Sequence, residues 1–274
     1  MDRILFHDFL GIRGFDVAWY GFLTAMGILA GLLPACLIAH RRGRSVELIV
    51  DALLFGVPMS FVGARLYYVI FRWDYYGKRP EEIFHIEGGG QAFYGSLIGG
   101  TAGILLFCLW KKVRPLFLLD ILFSGMLMGQ MVGRWGNFIN QEAYGKLITQ
   151  PQLQFFPYGV WIESLGEWHQ ATFFYEFAWN TLLLVLILAK EKKLRREGQI
   201  TALYCMGYGL GRFWIEGLRE DSLYFGSFRV SQLVSLILAA AGFLLWRWSL
   251  RRKLPAACEG DRQGGLERYK YPLK

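Results

Sequence analysis

Long apolar runs separated by short polar links set the pattern of this chain. Seven of them are long enough to cross a lipid bilayer: Ala18–His40, Ile49–Phe71, Ala92–Trp110, Pro115–Val132, Ala171–Ala189, Thr201–Leu218 and Val230–Trp246. A helix rising about 1.5 Å per residue needs roughly 20 residues to span a hydrocarbon core of about 30 Å. The runs are continuous rather than alternating, which predicts helices and argues against a β-barrel, whose strands face lipid only at every second position. The expected fold is therefore all-α and polytopic, with seven transmembrane helices in a single domain over residues 1–253. Two links are longer than turns: Arg72–Gln91, ending near Gly88-Gly89-Gly90, and Asn140–Gln170, polar and aromatic enough to fold as a small cap outside the membrane. Residues 254–274 read as a polar cytoplasmic tail. The halves of the chain do not resemble each other, and no solenoid-type repeat occurs.

The placement of Lys and Arg fixes the expected orientation. Basic residues crowd the links after the first, third, fifth and seventh runs: Arg41, Arg42 and Arg44; Lys111, Lys112 and Arg114; Lys190, Lys192, Lys193, Arg195 and Arg196; Arg247, Arg251, Arg252 and Lys253. They are sparser in the longer links on the other side, so those four face the cytoplasm and the N-terminus lies outside. The stretch Met1–Ala18 lacks the basic start and cleavage site of a secretory signal, leaving the first span as its own insertion signal.

Composition agrees with a membrane protein. Apolar residues make up 54% of the chain and charged ones 19%, and aromatics reach 17%, as expected where rings sit at a lipid–water interface. The net charge of +8 is accounted for by the cytoplasmic links and their attraction to anionic membrane lipid, so no nucleic-acid partner is implied. The four cysteines form no CxxC pair, and His7, His40, His85 and His169 are scattered without ligand spacing, so neither a metal nor another cofactor is expected.

Charged residues within spans cost about 2.5–3.5 kcal/mol each on insertion scales, so each needs a partner or a task. Asp51 and Asp120 lie near inner span ends and read as solvated or capping groups. For Arg65 and Glu176 a buried structural pair and a site role stay equally open. The outer end of the fourth run gathers Arg134, Asn137, Asn140, Gln141 and Glu142, and if the helix continues that far Arg134 and Asn137 share a face. In the sixth run Tyr208, Arg212 and Glu216 recur at four-residue intervals on one face. Two arginines presented from different helices suit a phosphate, because the guanidinium fork is planar, bidentate and permanently charged. The plainer reading makes Arg134–Glu142 and Arg212–Glu216 internal salt bridges. Glycines at 125, 129 and 133, and at 207 and 211, are expected to let helices approach closely. Ser96, in the glycine-rich start of the third run, has no His or Asp near it in sequence, which disfavours a serine-nucleophile protease.

The segment Gly133 to Gly145 resembles the signature of the bacterial prolipoprotein diacylglyceryl transferases, G-R-x-G-N-F-x-N-x-E-x-x-G, and meets all eight fixed positions. Similarity extends to Trp19-Tyr20-Gly21, Gly63-Ala64-Arg65-Leu66-Tyr67-Tyr68, Thr172-Phe173-Phe174-Tyr175-Glu176, and the stretch from Tyr208 through Gly211-Arg212 to Glu216. The resemblance implies a seven-span, N-outside enzyme of the bacterial inner, or plasma, membrane. Such an enzyme moves the diacylglyceryl group of phosphatidylglycerol onto the lipobox cysteine of a prolipoprotein signal peptide, forming a thioether and releasing glycerol phosphate. It implies catalytic roles for Arg134, Arg212, Tyr94 and Glu142, and substrate-binding roles for Tyr20, Asn137, Asn140, Gly145, Tyr208 and Glu216. The nucleophile would belong to the substrate, consistent with a chain that offers no promising nucleophile of its own. Two departures leave the proton acceptor open: Tyr94-Gly95 stands where most relatives carry His-Gly, and His169-Gln170-Ala171-Thr172 where they carry His-Pro-Thr. The rival reading is a secondary transporter of an anionic solute, which predicts paired halves and broken helices that this sequence lacks.

Overall fold

The computed structural model describes residues 2–14, 16–84, 90–194, 196–220, 224–225 and 228–251. The expected tail at 254–274 lies outside the described residues, as do His85, Gly88, Gly89, Arg195, Arg252 and Lys253. Seven long helices form where the apolar runs lie: α1 Trp19–Arg41, α2 Val46–Phe71, α3 Phe93–Lys111, α4 Pro115–Asn140, α5 Thr172–Lys190, α6 Gln199–Glu216 and α7 Val230–Arg251. Six of these regions are long and apolar enough to cross a membrane. The exception is α6, whose 18 residues include Gln199, Tyr208, Arg212 and Glu216. That polar content is the same feature that marks α6 as a candidate site helix. Short antiparallel pairs occupy the connections: β1 Ile4–Phe6 with β2 Val17–Ala18, β3 Gly159–Ile162 with β4 Glu167–Gln170, and β5 Tyr224–Phe225 with β6 Phe228–Arg229.

The described residues divide into two compact units, one formed by 2–38 together with 119–251, the other by Ala39–Leu118. In the first unit, glycines bring helices to backbone contact. A Cβ at Gly31 of α1 would lie 2.6 Å from the carbonyl oxygen of Gly125 on α4, and one at Gly27 would lie 2.9 Å from that of Gly129. Gly133 departs from the expected packing role, since a Cβ there would meet nothing within 4 Å. Gly207 and Gly211 do pack: the Trp179 indole of α5 lies against Gly211 and donates to the Gly207 carbonyl at 2.8 Å.

Asp120 is capping, as its position near a span end implies, but it is not solvated. It is fully buried on α4 and caps a different helix, accepting from Gly198 N at 2.9 Å, Thr201 N at 2.8 Å and Thr201 Oγ1 at 2.7 Å. The donors are the N-cap amide, a first-turn amide and a first-turn hydroxyl at the start of α6, the end where a carboxylate also meets the positive pole of the helix dipole. The cap therefore fixes the helix that carries Tyr208, Arg212 and Glu216.

In the second unit α2 and α3 pack through Gly63, Gly95 and Gly99, with no room for a Cβ at any of the three. Ser96 takes part in this packing, its hydroxyl lying 2.7 Å from that of Ser60. Arg65 turns out to organise a loop, donating to the carbonyls of Ile83 (2.8 Å), Glu82 (2.9 Å) and Gly90 (3.0 Å). Asp51 sits in an exposed pair with Lys111 at 3.0 Å.

Candidate active site

The α4 helix continues past Val132 to Asn140, so the polar signature begins on the last turns of a long helix. Arg134 and Asn137 do share a face: Arg134 Nη1 donates to Asn137 Oδ1 at 3.1 Å. Asn137 Nδ2 then donates to Glu142 Oε1 at 2.9 Å, and Asn140 Nδ2 lies 3.4 Å from the same oxygen. Glu142 can reach back because the chain reverses immediately after the helix. Gln141 takes a left-handed φ of 52°, and Glu142 N bonds the Asn137 carbonyl at 3.0 Å, which closes α4 with the hydrogen bond of a Schellman cap. Ala143 is also left-handed, at φ 59°, so two non-glycine residues flank Glu142 in a conformation that costs side chains free energy.

The expected direct pair of Arg134 with Glu142 is replaced by this relay through Asn137. Arg134 instead meets Glu176 of α5, Nη2 to Oε1 at 2.5 Å. The other oxygen of Glu176 receives Arg212 Nη1 of α6 at 2.8 Å, and Tyr208 donates to Oε1 at 3.4 Å. Arg212 Nη2 reaches Glu216 Oε2 at 2.7 Å, as the four-residue spacing leads one to expect, and Arg219 Nη1 lies 4.0 Å from that oxygen. Arg229 donates to the Glu216 backbone carbonyl. Glu176, with 2% of its surface exposed, thus joins helices α4, α5 and α6 at one point. Its role was legible only as half of an open alternative, because no sequence spacing links position 176 to 134 or 212.

Arg134, Glu176, Arg212 and Arg219 line a narrow cleft with Ala143, Thr172, Phe173 and Ile215. Thr172 closes one side by donating its hydroxyl to the Ala143 carbonyl. Gly145 holds the cap against the helices: a Cβ there would lie 2.8 Å from Thr172 Cγ2, 2.9 Å from Gln170 Cβ and 3.0 Å from the Leu218 carbonyl. His169, buried in β4, points Nδ1 at the Gly145 carbonyl at 2.8 Å and packs its ring, tilted, against that of Tyr144 with centroids 4.7 Å apart. Tyr20, at the start of α1, lies against α4, where a Cβ on Gly136 would come within 2.9 Å of its ring. Tyr94 stands in the first turn of α3, in the other compact unit, with 43% of its surface exposed.

Chemically, the cleft presents guanidinium groups from two helices, held in register by buried carboxylates and screened from bulk water. Guanidinium forks of this kind are groups that can bind an oxyanion and stabilise charge developing on it.

Comparison with known proteins places this architecture. Residues 8–248 match the family model described as prolipoprotein diacylglyceryl transferase. The chain is 42% identical over 246 residues to a phosphatidylglycerol–prolipoprotein diacylglyceryl transferase of Finegoldia magna, covering 89% of this chain and 94% of that protein. A protein of the same name from Streptococcus mutans is 40% identical over 233 residues, 84% of this chain and 89% of its own length. One from Synechococcus elongatus is 39% identical over 252 residues, 88% and 86% of the two chains. With the match running from residue 8 to residue 248, through every long helix, this chain belongs to the prolipoprotein diacylglyceryl transferase family.

Proposed function

We propose that the chain is a phosphatidylglycerol–prolipoprotein diacylglyceryl transferase, which transfers the diacylglyceryl group of phosphatidylglycerol to a prolipoprotein in the first step of lipoprotein maturation. Family membership supports the activity, and the observation that carries the mechanism is the convergence of Arg134 and Arg212 on one buried cleft. The headgroup phosphate sits at the two forks. The lipobox cysteine sulfur of the incoming signal peptide attacks the glyceryl carbon. A C–S bond forms as the C–O bond breaks, and the electron pair leaves on a phosphate oxygen. The thiol proton passes to a base, a role we assign to Tyr94 in its phenolate form, and glycerol phosphate departs. Charge grows on the leaving phosphate as the bond breaks, so fixed guanidinium groups lower that barrier without reorganising. Holding thiol and carbon in line supplies much of the remainder.

Asn137 and Asn140 orient Glu142 and, through Asn137, Arg134. Glu216 holds Arg212 directly and Tyr208 does so through Glu176, Tyr20 and Gly145 shape the walls of the lipid site, and no cofactor is required. On this reading the enzyme is a multi-pass protein of the bacterial inner membrane, α6 serves as a seventh span despite its polar face, the N-terminus and the 140–170 cap face outward, and the C-terminus is cytoplasmic. The basic links after the first, third, fifth and seventh spans support that orientation. Purified protein incubated with phosphatidylglycerol and a lipobox peptide is expected to yield thioether-linked peptide and glycerol phosphate in equal amounts. Absence of both products with folded protein would reject the assignment.

A further inference from the structure

His169 does not line the arginine cleft, yet it is almost fully buried in the cap, and its two ring nitrogens have unlike surroundings. Nδ1 lies 2.8 Å from the Gly145 carbonyl oxygen, whereas Nε2 has no hydrogen-bond partner among the described residues. A carbonyl oxygen only accepts, so the proton of the neutral ring sits on Nδ1. A second proton on Nε2, 3.5 Å from a Glu167 carboxylate oxygen, would leave that bond in place. The tie to Gly145 is therefore made in both charge states of the ring.

Gly145 is a junction between the cap and the end of α6. Its amide donates to the Gln170 carbonyl at 2.9 Å, and the Gln170 amide donates back to the Lys146 carbonyl at 3.0 Å, so the chain here lies alongside β4. Gly145 also forms an isolated antiparallel bridge with Arg219, three residues beyond the last residue of α6. Glu220 adds a tie of its own, accepting from the Leu147 amide at 3.4 Å, with its other oxygen 3.8 Å from His169 Nδ1. Arg219 in turn lines the cleft with Arg134 and Arg212. A turn of the Gly145 peptide would thus shift the backbone that carries this third guanidinium.

We infer that His169 is a positioning residue: its Nδ1–H fixes the Gly145 carbonyl, and through the bridge from Gly145 to Arg219 it sets where Arg219 presents its guanidinium to the cleft. This rests on the proposed transferase reading and deepens it. His169 takes no proton from the thiol and touches no substrate; its task is to hold a backbone carbonyl.

The experiment uses full-length protein and begins with the tautomer. The chain has four histidines, few enough for nitrogen NMR of isotope-labelled imidazoles, with the His169 signals identified as those lost in His169→Asn. In alkaline buffer the neutral ring should be the Nδ1–H form, and an Nε2–H form would overturn the inference. Transfer kinetics then test the task. Asparagine places an amide N–H near the position of Nδ1, and glutamine places one near that of Nε2. His169→Asn should hold kcat/KM within about 3-fold of wild type and keep its pH profile, whereas His169→Gln should lower kcat/KM by about 10-fold or more, the scale of one buried hydrogen bond lost. In an Arg219→Gln background, the same His169→Gln change should lower it by less than about 2-fold further, because a residue that acts through Arg219 then has nothing to place. Additive losses would mark a merely structural role and overturn the inference. So would equal rates in the two His169 variants, or an altered pH profile in His169→Asn, which would make the ring a proton acceptor. If His169→Gln does not fold, the tautomer and the His169→Asn rate still decide the matter. Wild-type protein that yields neither thioether nor glycerol phosphate would remove the transferase reading and leave the tautomer result standing.

Discussion

Asn137 receives the Arg134 guanidinium at 3.1 Å on its carbonyl oxygen and passes its amide to Glu142 at 2.9 Å, so the arginine is aimed at α5 and not at the carboxylate beyond it in sequence. Glu142 acts in this relay as a hydrogen-bond acceptor, a role that glutamine can fill. Asn137→Ala should therefore lower kcat/KM by about 100-fold or more, in the range seen when one preorganised donor is lost, whereas Glu142→Gln should cost less than about 10-fold, since its carbonyl can still accept. Steady-state transfer assays on both variants check the ordering. Equal and severe losses would show that the charge of Glu142 itself is required.

Replacing the forks tests the leaving-group role directly. Arg134→Lys and Arg212→Lys keep a positive charge but cannot bond an oxyanion in bidentate fashion or bridge to Glu176 in the same plane. Each should reduce kcat/KM by about 100-fold or more, with the thermal transition in detergent changed little. Wild-type rates in both variants would end the phosphate assignment.

Asp120 offers a prediction about stability rather than chemistry. Its carboxylate is fully buried and satisfies two amides and a hydroxyl at the start of α6. Asp120→Ala removes a helix cap and leaves buried donors unpaired, which should destabilise the protein by about 2–4 kcal/mol. Asp120→Asn keeps an acceptor and should cost about half as much. Thermal unfolding of the full chain in detergent, followed by circular dichroism, measures both, and equal midpoints for wild type and Asp120→Ala would refute the capping role.

Hydrophobic periodicity locates every long helix here to within a few residues at most ends, because lipid demands unbroken apolar runs with internally satisfied backbones. The miss on α4 has a plain cause: its last turns are polar and amphipathic measures end a span where apolarity ends, yet Arg134, Asn137 and Asn140 keep helical conformation because each finds a side-chain partner. The site was legible where partners lie on one helix, as for Arg212 and Glu216. It was illegible where they meet across helices, as for Glu176 with Arg134 or Asp120 with Thr201, since those pairs are set by helix packing. Gly133 shows the converse: it continues a four-residue glycine series in sequence, but among the described residues a Cβ there would meet nothing within 4 Å.

The orientation drawn from basic links can be checked independently of activity. Single cysteines placed before Ala18 and within the 140–170 cap should react with an impermeant thiol reagent in intact bacterial protoplasts. One placed in the link Lys190–Arg196 should react only after permeabilisation. Labelling of that basic link from outside would invert the topology and move the arginine cleft to the cytoplasmic leaflet, where signal peptides do not present a translocated cysteine.

The proton of the attacking thiol sets the last prediction. A cysteine thiol with an ordinary pKa of about 8.5 is only a few per cent thiolate at neutral pH, so an acceptor helps, but the gain it offers is bounded. Tyr94 stands where most relatives carry histidine, half-exposed in the first turn of α3. A phenol must give up its own proton before it can take another, so only its phenolate form can serve. Tyr94→Phe keeps the ring and removes only the hydroxyl. It should lower kcat by about 10–100-fold, the scale of one general base, and the deficit should shrink as pH rises toward the thiol pKa, because the thiolate then forms without assistance. Tyr94→His should recover more of the rate at neutral pH than Tyr94→Phe retains, since imidazole titrates near neutrality. A Tyr94→Phe enzyme with wild-type kcat at every pH from 6 to 9 would show that solvent or the departing phosphate takes the proton, and would leave Tyr94 with no part in bond making.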